Sequence, residues 1–170
     1  LELVGQFGSP LELSFCPLIT RRVQAMQQYF SDAAKRTGYQ GAFVYAYATK
    51  ANFAEEVVRT AVAAGAHYET SSAFDVRIAH QLWQNGTLSS DRFVFCNGSK
   101  EPPYIDAIMQ MRLAGFKNIV PILDDFEEFA AFANCPEPLL LGIRERKDPA
   151  DLATGITYGY DRFGLLPEEM

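Results

Sequence analysis

Lys50, in the run Tyr47-Ala48-Thr49-Lys50-Ala51-Asn52, is the residue whose type and place most directly support chemistry. It ends a strand-like segment just before a helix-start signal. A lysine amine held there, partly buried and neutral, can condense with a carbonyl compound to form a Schiff base. Four more strand-like runs end in polar or charged residues: Glu69, Asn97, Asp124 and Arg144. With period-2 alternation Lys50 shares a face with Val44, Ala46 and Ala48, whose small size leaves space for a flat ligand. Each residue also has a plainer reading by type alone. Lys50 and Arg144 can be solvated or ion-paired, Glu69 can partner Lys50, and Asp124 can be a charge favoured by a helix N-terminus. Asn52 and Ser72 read as helix caps.

The elements that must position these residues follow from periodicity and punctuation. Leu11 to Phe15, after Gly8-Ser9-Pro10, predicts a short strand, and Thr20 to Arg36 an amphipathic helix ending at Gly38. A unit then repeats. Phe43 to Thr49 is β-like, with Asn52 and Glu55 as a cap signature and Val57, Val58, Ala61 and Val62 before Gly65. Ala66 to Thr70 is followed by Ser72 and Asp75, and Arg92 to Cys96 by a Pro102-Pro103 helix opening. Asn118 to Leu123 is followed by Asp125 and Glu128, and Leu139 to Ile143 runs into Arg144. Alternating strands and helices imply parallel βαβ units, and ligands of such folds lie at the carboxyl ends of the strands. No G-x-G-x-x-G or Walker-type loop is present, which favours a barrel over a nucleotide-binding sheet.

Composition removes several functions. With 170 residues the chain can bury one sizeable core, yet it is short of the roughly 250 typical of a closed eight-stranded β/α barrel. A formal net charge of -6 argues against nucleic acid as a partner. No apolar run approaches a membrane span, and Leu1-Glu2-Leu3 does not read as a signal peptide. Cys16, Cys96 and Cys135 suggest neither a disulfide framework nor a zinc site and fit a reducing, cytoplasmic setting. His67 and His80 are too far apart for a helical metal pair, and Cys96 reads as a buried small residue.

On these motifs the chain resembles the fold-type III pyridoxal-phosphate decarboxylases, the ornithine, diaminopimelate and biosynthetic arginine decarboxylases with an alanine racemase-like barrel. The resemblance runs from Gly8-Ser9-Pro10-Leu11 through Tyr47-Ala48-Thr49-Lys50-Ala51-Asn52 and Glu69-Thr70-Ser71-Ser72. It continues through Cys96-Asn97-Gly98-Ser99-Lys100 and Gly142-Ile143-Arg144 to Arg162-Phe163-Gly164. Gly38-Tyr39-Gln40-Gly41, Tyr104-Ile105 and Gly142-x-Arg144-x-Arg146 make it most similar to the arginine branch, from which Thr70-Ser71-Ser72-Ala73 and Arg162 depart.

The resemblance implies a parallel (β/α) barrel with about five of eight strands present. Residues 1–40 would be a lead-in strand and helix, and 41–170 the N-terminal part of the barrel. It implies pyridoxal phosphate held covalently by Lys50, with Glu69 beside that lysine and Arg144 under or beside the cofactor. The implied function is decarboxylation of a basic amino acid, arginine first, with ornithine or diaminopimelate as alternatives. It also implies a homo-oligomer, or a further segment, covering the open barrel edge, since the family would continue past Met170 into a sixth strand. A non-catalytic, partner-dependent piece and a single-barrel cofactor carrier are the competing readings.

Overall fold

A computed structural model gives the fold, described for residues 2–146 and 164–170. Five strands form one parallel sheet: β1 (Ala46–Ala48), β2 (His67–Thr70), β3 (Val94–Cys96), β4 (Ile119–Leu123) and β5 (Gly142–Ile143). Their spatial order equals their chain order. Right-handed crossovers that always step to the next strand on the same side place all the crossover helices on one face of the sheet. Those helices are α3 (Glu55–Ala63), α4 (Ala73–Gln84), α5 (Pro102–Leu113) and α6 (Phe126–Ala133). Before them come α1 (Glu2–Phe7) and the long α2 (Cys16–Thr37).

Register and burial separate the two faces. Tyr68 pairs with Val94, Thr70 with Cys96, and Val94 with Ile119, and all five are buried under the helices. There they join Val58, Val76, Ala79, Leu82, Ile108, Met111 and Phe116 in the main core. The opposite row runs Ala48, Glu69, Phe95 and Val120, side by side in successive strands. Ala48, Glu69 and Phe95 on it are only half-buried. A sequential parallel sheet with helices on one face is an α/β arrangement compatible with part of a barrel, in which this second row would line the interior.

The order continues past β5. Leu165 forms a parallel bridge with Glu145, its N–H donating to Arg144 O at 2.8 Å and its carbonyl accepting from Arg146 N at 2.7 Å. Leu165 is buried. Arg162 and Phe163 lie outside the described residues.

Three local expectations are corrected. Residues 11–15 form no strand: Leu13 and Phe15 are exposed and no ladder is available to satisfy their backbone, without which an extended segment is not a strand. Only Ala46–Ala48 of the run 43–49 pairs with β2; Phe43 stacks instead on Phe30 of α2, ring centroids 4.0 Å apart. Asn52 is not the cap of α3. That position is Ala54, and Asn52 Oδ1 accepts from Ala54 N at 2.9 Å, turning the chain two residues before the helix. The expected stops hold, with Gly38 at φ 69° directly after α2 and Gly65 at φ 98° one residue beyond the cap of α3, Ala64.

Candidate active site

The carboxyl ends of the strands form one rim, and the predicted residues fall along it. Lys50 sits in a single 3-10 turn, Thr49–Ala51, that continues β1. The turn is anchored from below: Thr49 is 1% exposed and its hydroxyl donates to Glu69 O at 3.1 Å. Tyr47 Oη donates to Asn52 O at 2.9 Å and holds the far side of the same turn. Thus β1 and β2 are stitched together directly beneath Lys50, whose own side chain is exposed. Glu69 is the register partner of Ala48, two residues before Lys50, so Lys50 and Glu69 stand on neighbouring chain segments at the same end of the sheet. They form no ion pair, so the Glu69 partnership that residue type alone allowed is not made.

Asn97 follows β3, its N–H donating to Thr70 O at 2.9 Å and its carbonyl accepting from Tyr104 Oη at 3.2 Å. Thr70 and Tyr104 hydroxyls meet at 2.6 Å, a buried contact that ties β2 to the start of α5. Burial pushes the Tyr104 phenol well above its ordinary range and the adjacent Cys96 thiol up to about 12, so neither titrates near neutrality. Cys96 is fully buried and serves as core. Arg144 lies between β4 and the Leu165 segment, its N–H donating to Leu123 O at 3.1 Å. Continuing the Ile122–Gly142 and Leu123–Ile143 register by one step sets Asp124 beside Arg144.

A buried ion pair that the motifs did not announce supports the rim. Lys100, whose side chain is fully enclosed, meets Glu128 Oε2 at 3.0 Å, and its ammonium also donates to Gly98 O at 2.8 Å and to Ile122 O. Glu128 accepts from Lys100 N at 2.8 Å and from Asp124 N at 3.3 Å. All three ammonium protons and both carboxylate oxygens are therefore used, the condition under which burying such a pair is tolerable. The signal was present in the sequence: an acid at the third position of a capped helix, and a lysine four residues past an apolar strand end. Each has a common surface reading, and only the fold brings them together.

His67, at the amino end of β2, takes no part in the rim. Its Nδ1 accepts from Phe93 N at 2.8 Å, which fixes the neutral ring with its proton on Nε2. Among the described residues, no group of three or more His, Cys, Asp or Glu side chains stands together as a metal site, and no helix is long and apolar enough to cross a membrane.

No family model matches the chain. It is 27% identical to the biosynthetic arginine decarboxylase of Thermosynechococcus vestitus over 95% of its own length and 26% of that protein's. It is 25% identical to the biosynthetic arginine decarboxylase of Bacteroides thetaiotaomicron, over 96% of the chain and 27% of the relative. Against arginine decarboxylase 2 of Arabidopsis thaliana it is 31% identical, over 70% of the chain and 17% of the relative. The chain thus spans about a quarter, or less, of the length of these curated relatives. It is an arginine-decarboxylase-like segment, related over most of its length to a part of those enzymes.

Proposed function

We propose that this chain provides the N-terminal strands of an alanine racemase-like barrel in a pyridoxal-phosphate-dependent decarboxylase of a basic amino acid, arginine in the first place. The carrying observation is the rim itself: Lys50, in the turn that continues β1, and Glu69, on the neighbouring β2, stand at the same end of a sheet whose order is sequential, in a chain related along almost its whole length to arginine decarboxylases. Ornithine and diaminopimelate are the alternative substrates.

The residues present fit the cofactor. An exposed amine can bond its aldehyde carbon, Ala46 and Ala48 below that amine leave room for a planar ring, and Glu69 and Arg144 supply one charge of each sign along the rim. Pyridoxal phosphate, when bound, supplies the electron sink that amino-acid decarboxylation requires. Lys50 would hold it through Nζ, and the turn pinned by Thr49 and Tyr47 would fix where that nitrogen can reach. Glu69 would place a carboxylate next to the lysine amine, suited to hold a proton there, and Arg144 would hold the anionic side of the ligand. The turnover would need the remaining strands of the barrel, supplied by further sequence or a second copy that also covers the open sheet edge. Three unpaired cysteines suit a cytoplasmic setting.

Addition of pyridoxal phosphate to the full-length protein, borohydride reduction and peptide mapping test this reading. The pyridoxyl mass is expected on the peptide carrying Lys50 and to be lost in Lys50→Ala. Equal labelling of Lys35 and Lys117 would sink it. Carbon dioxide release from arginine, ornithine, lysine and diaminopimelate then separates the substrates.

A further inference from the structure

We propose that Lys100 and Glu128 are positioning residues for the ligand rim, setting the ends of β3 and β4 rather than merely adding to core stability. This rests on reading the strand carboxyl ends as the site. The pair bonds almost exclusively to the rim's backbone. Lys100 Nζ takes Gly98 O, one residue past Asn97, and Ile122 O, two residues before Asp124. Glu128 takes the amides of Lys100 and of Asp124 itself. Four backbone groups from two adjacent strand ends are thus bound to one fully enclosed ion pair carried by the loop after β3 and the first turn of α6.

Such groups would otherwise be satisfied by ordinary ladder bonds or by water, and an apolar pair would fill the same space without a desolvation cost. What an apolar pair cannot do is fix the direction of those four groups. Asn97 directly precedes Gly98, Asp124 carries one of the four groups itself, and Arg144 hangs from Leu123, the residue before Asp124. One register step past the ladders, Asn97 falls beside Ile122 and Asp124 beside Arg144, on the same rim that carries Glu69 and Lys50. The pair therefore sets the part of the rim formed by the ends of β3 and β4, which would orient the carboxylate or side-chain cation of an amino-acid ligand held at Lys50.

The test uses Lys100→Met/Glu128→Leu, an apolar pair of similar volume, with Glu128→Gln as the milder variant that keeps the shape should the double variant fold poorly. The readout is native-state hydrogen exchange of the Asn97 and Arg144 amides. Neither bonds to the pair; they bond Thr70 O and Leu123 O. Both are expected to exchange at least about tenfold faster in the double variant, and less so in Glu128→Gln, while the Tyr68 and Val94 amides keep their wild-type rates. In the same variants pyridoxyl labelling of Lys50 is expected to slow at least about fivefold even where the thermal midpoint is restored. Wild-type exchange at Asn97 and Arg144, an equal rise at all four amides, or unchanged labelling of Lys50 overturns the proposal. A wild-type protein with no label on Lys50 instead refutes the cofactor reading, and the amide rates alone then decide the role of the pair.

Discussion

At the scale of single residues, the backbone groups a side chain satisfies decide its behaviour more than its type does. His67 shows this. Its Nδ1 fills an acceptor position for Phe93 N, between β2 and the segment leading into β3, and its ring stacks on Phe93 with centroids 5.4 Å apart. Protonation removes that acceptor. Burial, and next the charge of Arg92, hold the histidine below its ordinary value of 6.5, with Asp91 opposing. A base whose folded-state pKa lies below its unfolded one contributes nothing at high pH and becomes a liability once the unfolded chain takes up its proton. Stability should therefore fall as pH drops below about 6.5 toward the lower folded value. Urea midpoints measured from pH 7.5 to 5 should decline less steeply in His67→Gln than in wild type; parallel declines would show that the ring does not carry the effect. The acceptor role of His67 was not legible in the sequence, because the partner amide is 26 residues away.

At the scale of elements, two helix starts use one device. Ser72 caps α4 by accepting from Asp75 N, while Asp75 Oδ2 accepts from Ser71 N at 3.1 Å and from the Ser72 hydroxyl at 3.0 Å. Asp125 caps α6, and the acid at the same helical position, Glu128, accepts from Asp124 N. In both units the third-position acid reaches back to the first residue past the strand, so the cap fixes the rim as well as the helix. Ser72→Ala should cost about 1 kcal/mol in a denaturant melt, the usual loss for a side-chain cap. Asn52→Ala should cost less, since Asn52 bonds a turn outside α3 and the two residues that open that helix, Glu55 and Glu56, are exposed. Equal losses would mean that the Asn52 turn behaves as a cap. The four crossover helices, the Gly65 stop and the serine cap were readable from spacing, because local hydrogen bonding fixes them. Strand length was not, because it depends on a neighbour: 43–45 and 92–93 carry the same β-like residues as the strands but lie outside the assigned ladders.

At the scale of the whole molecule, sequential parallel order was legible from the alternation of strands and helices, and the rim of polar strand ends followed from it. The Lys100–Glu128 support was not, since it depends on two units being neighbours in space. The same dependence governs what happens beyond β5. If the sheet goes on in order, Leu165 occupies the next parallel position, and Gly164 is what lets it do so. Gly164 has φ +93°, and a Cβ there would lie 2.5 Å from Arg144 O, a backbone atom that cannot move without disturbing the bond it accepts from Leu165 N. Gly164→Ala therefore carries both a conformational and a steric cost, together about 1–3 kcal/mol. That cost should be met by releasing Leu165 rather than by unfolding the core. Hydrogen exchange should show the Arg146 and Leu165 amides losing protection while Tyr68 and Val94 keep theirs. Retained protection at Arg146 would mean that the Leu165 contact is not held by this geometry, and would remove the local support for a sheet that continues in barrel order past its fifth strand.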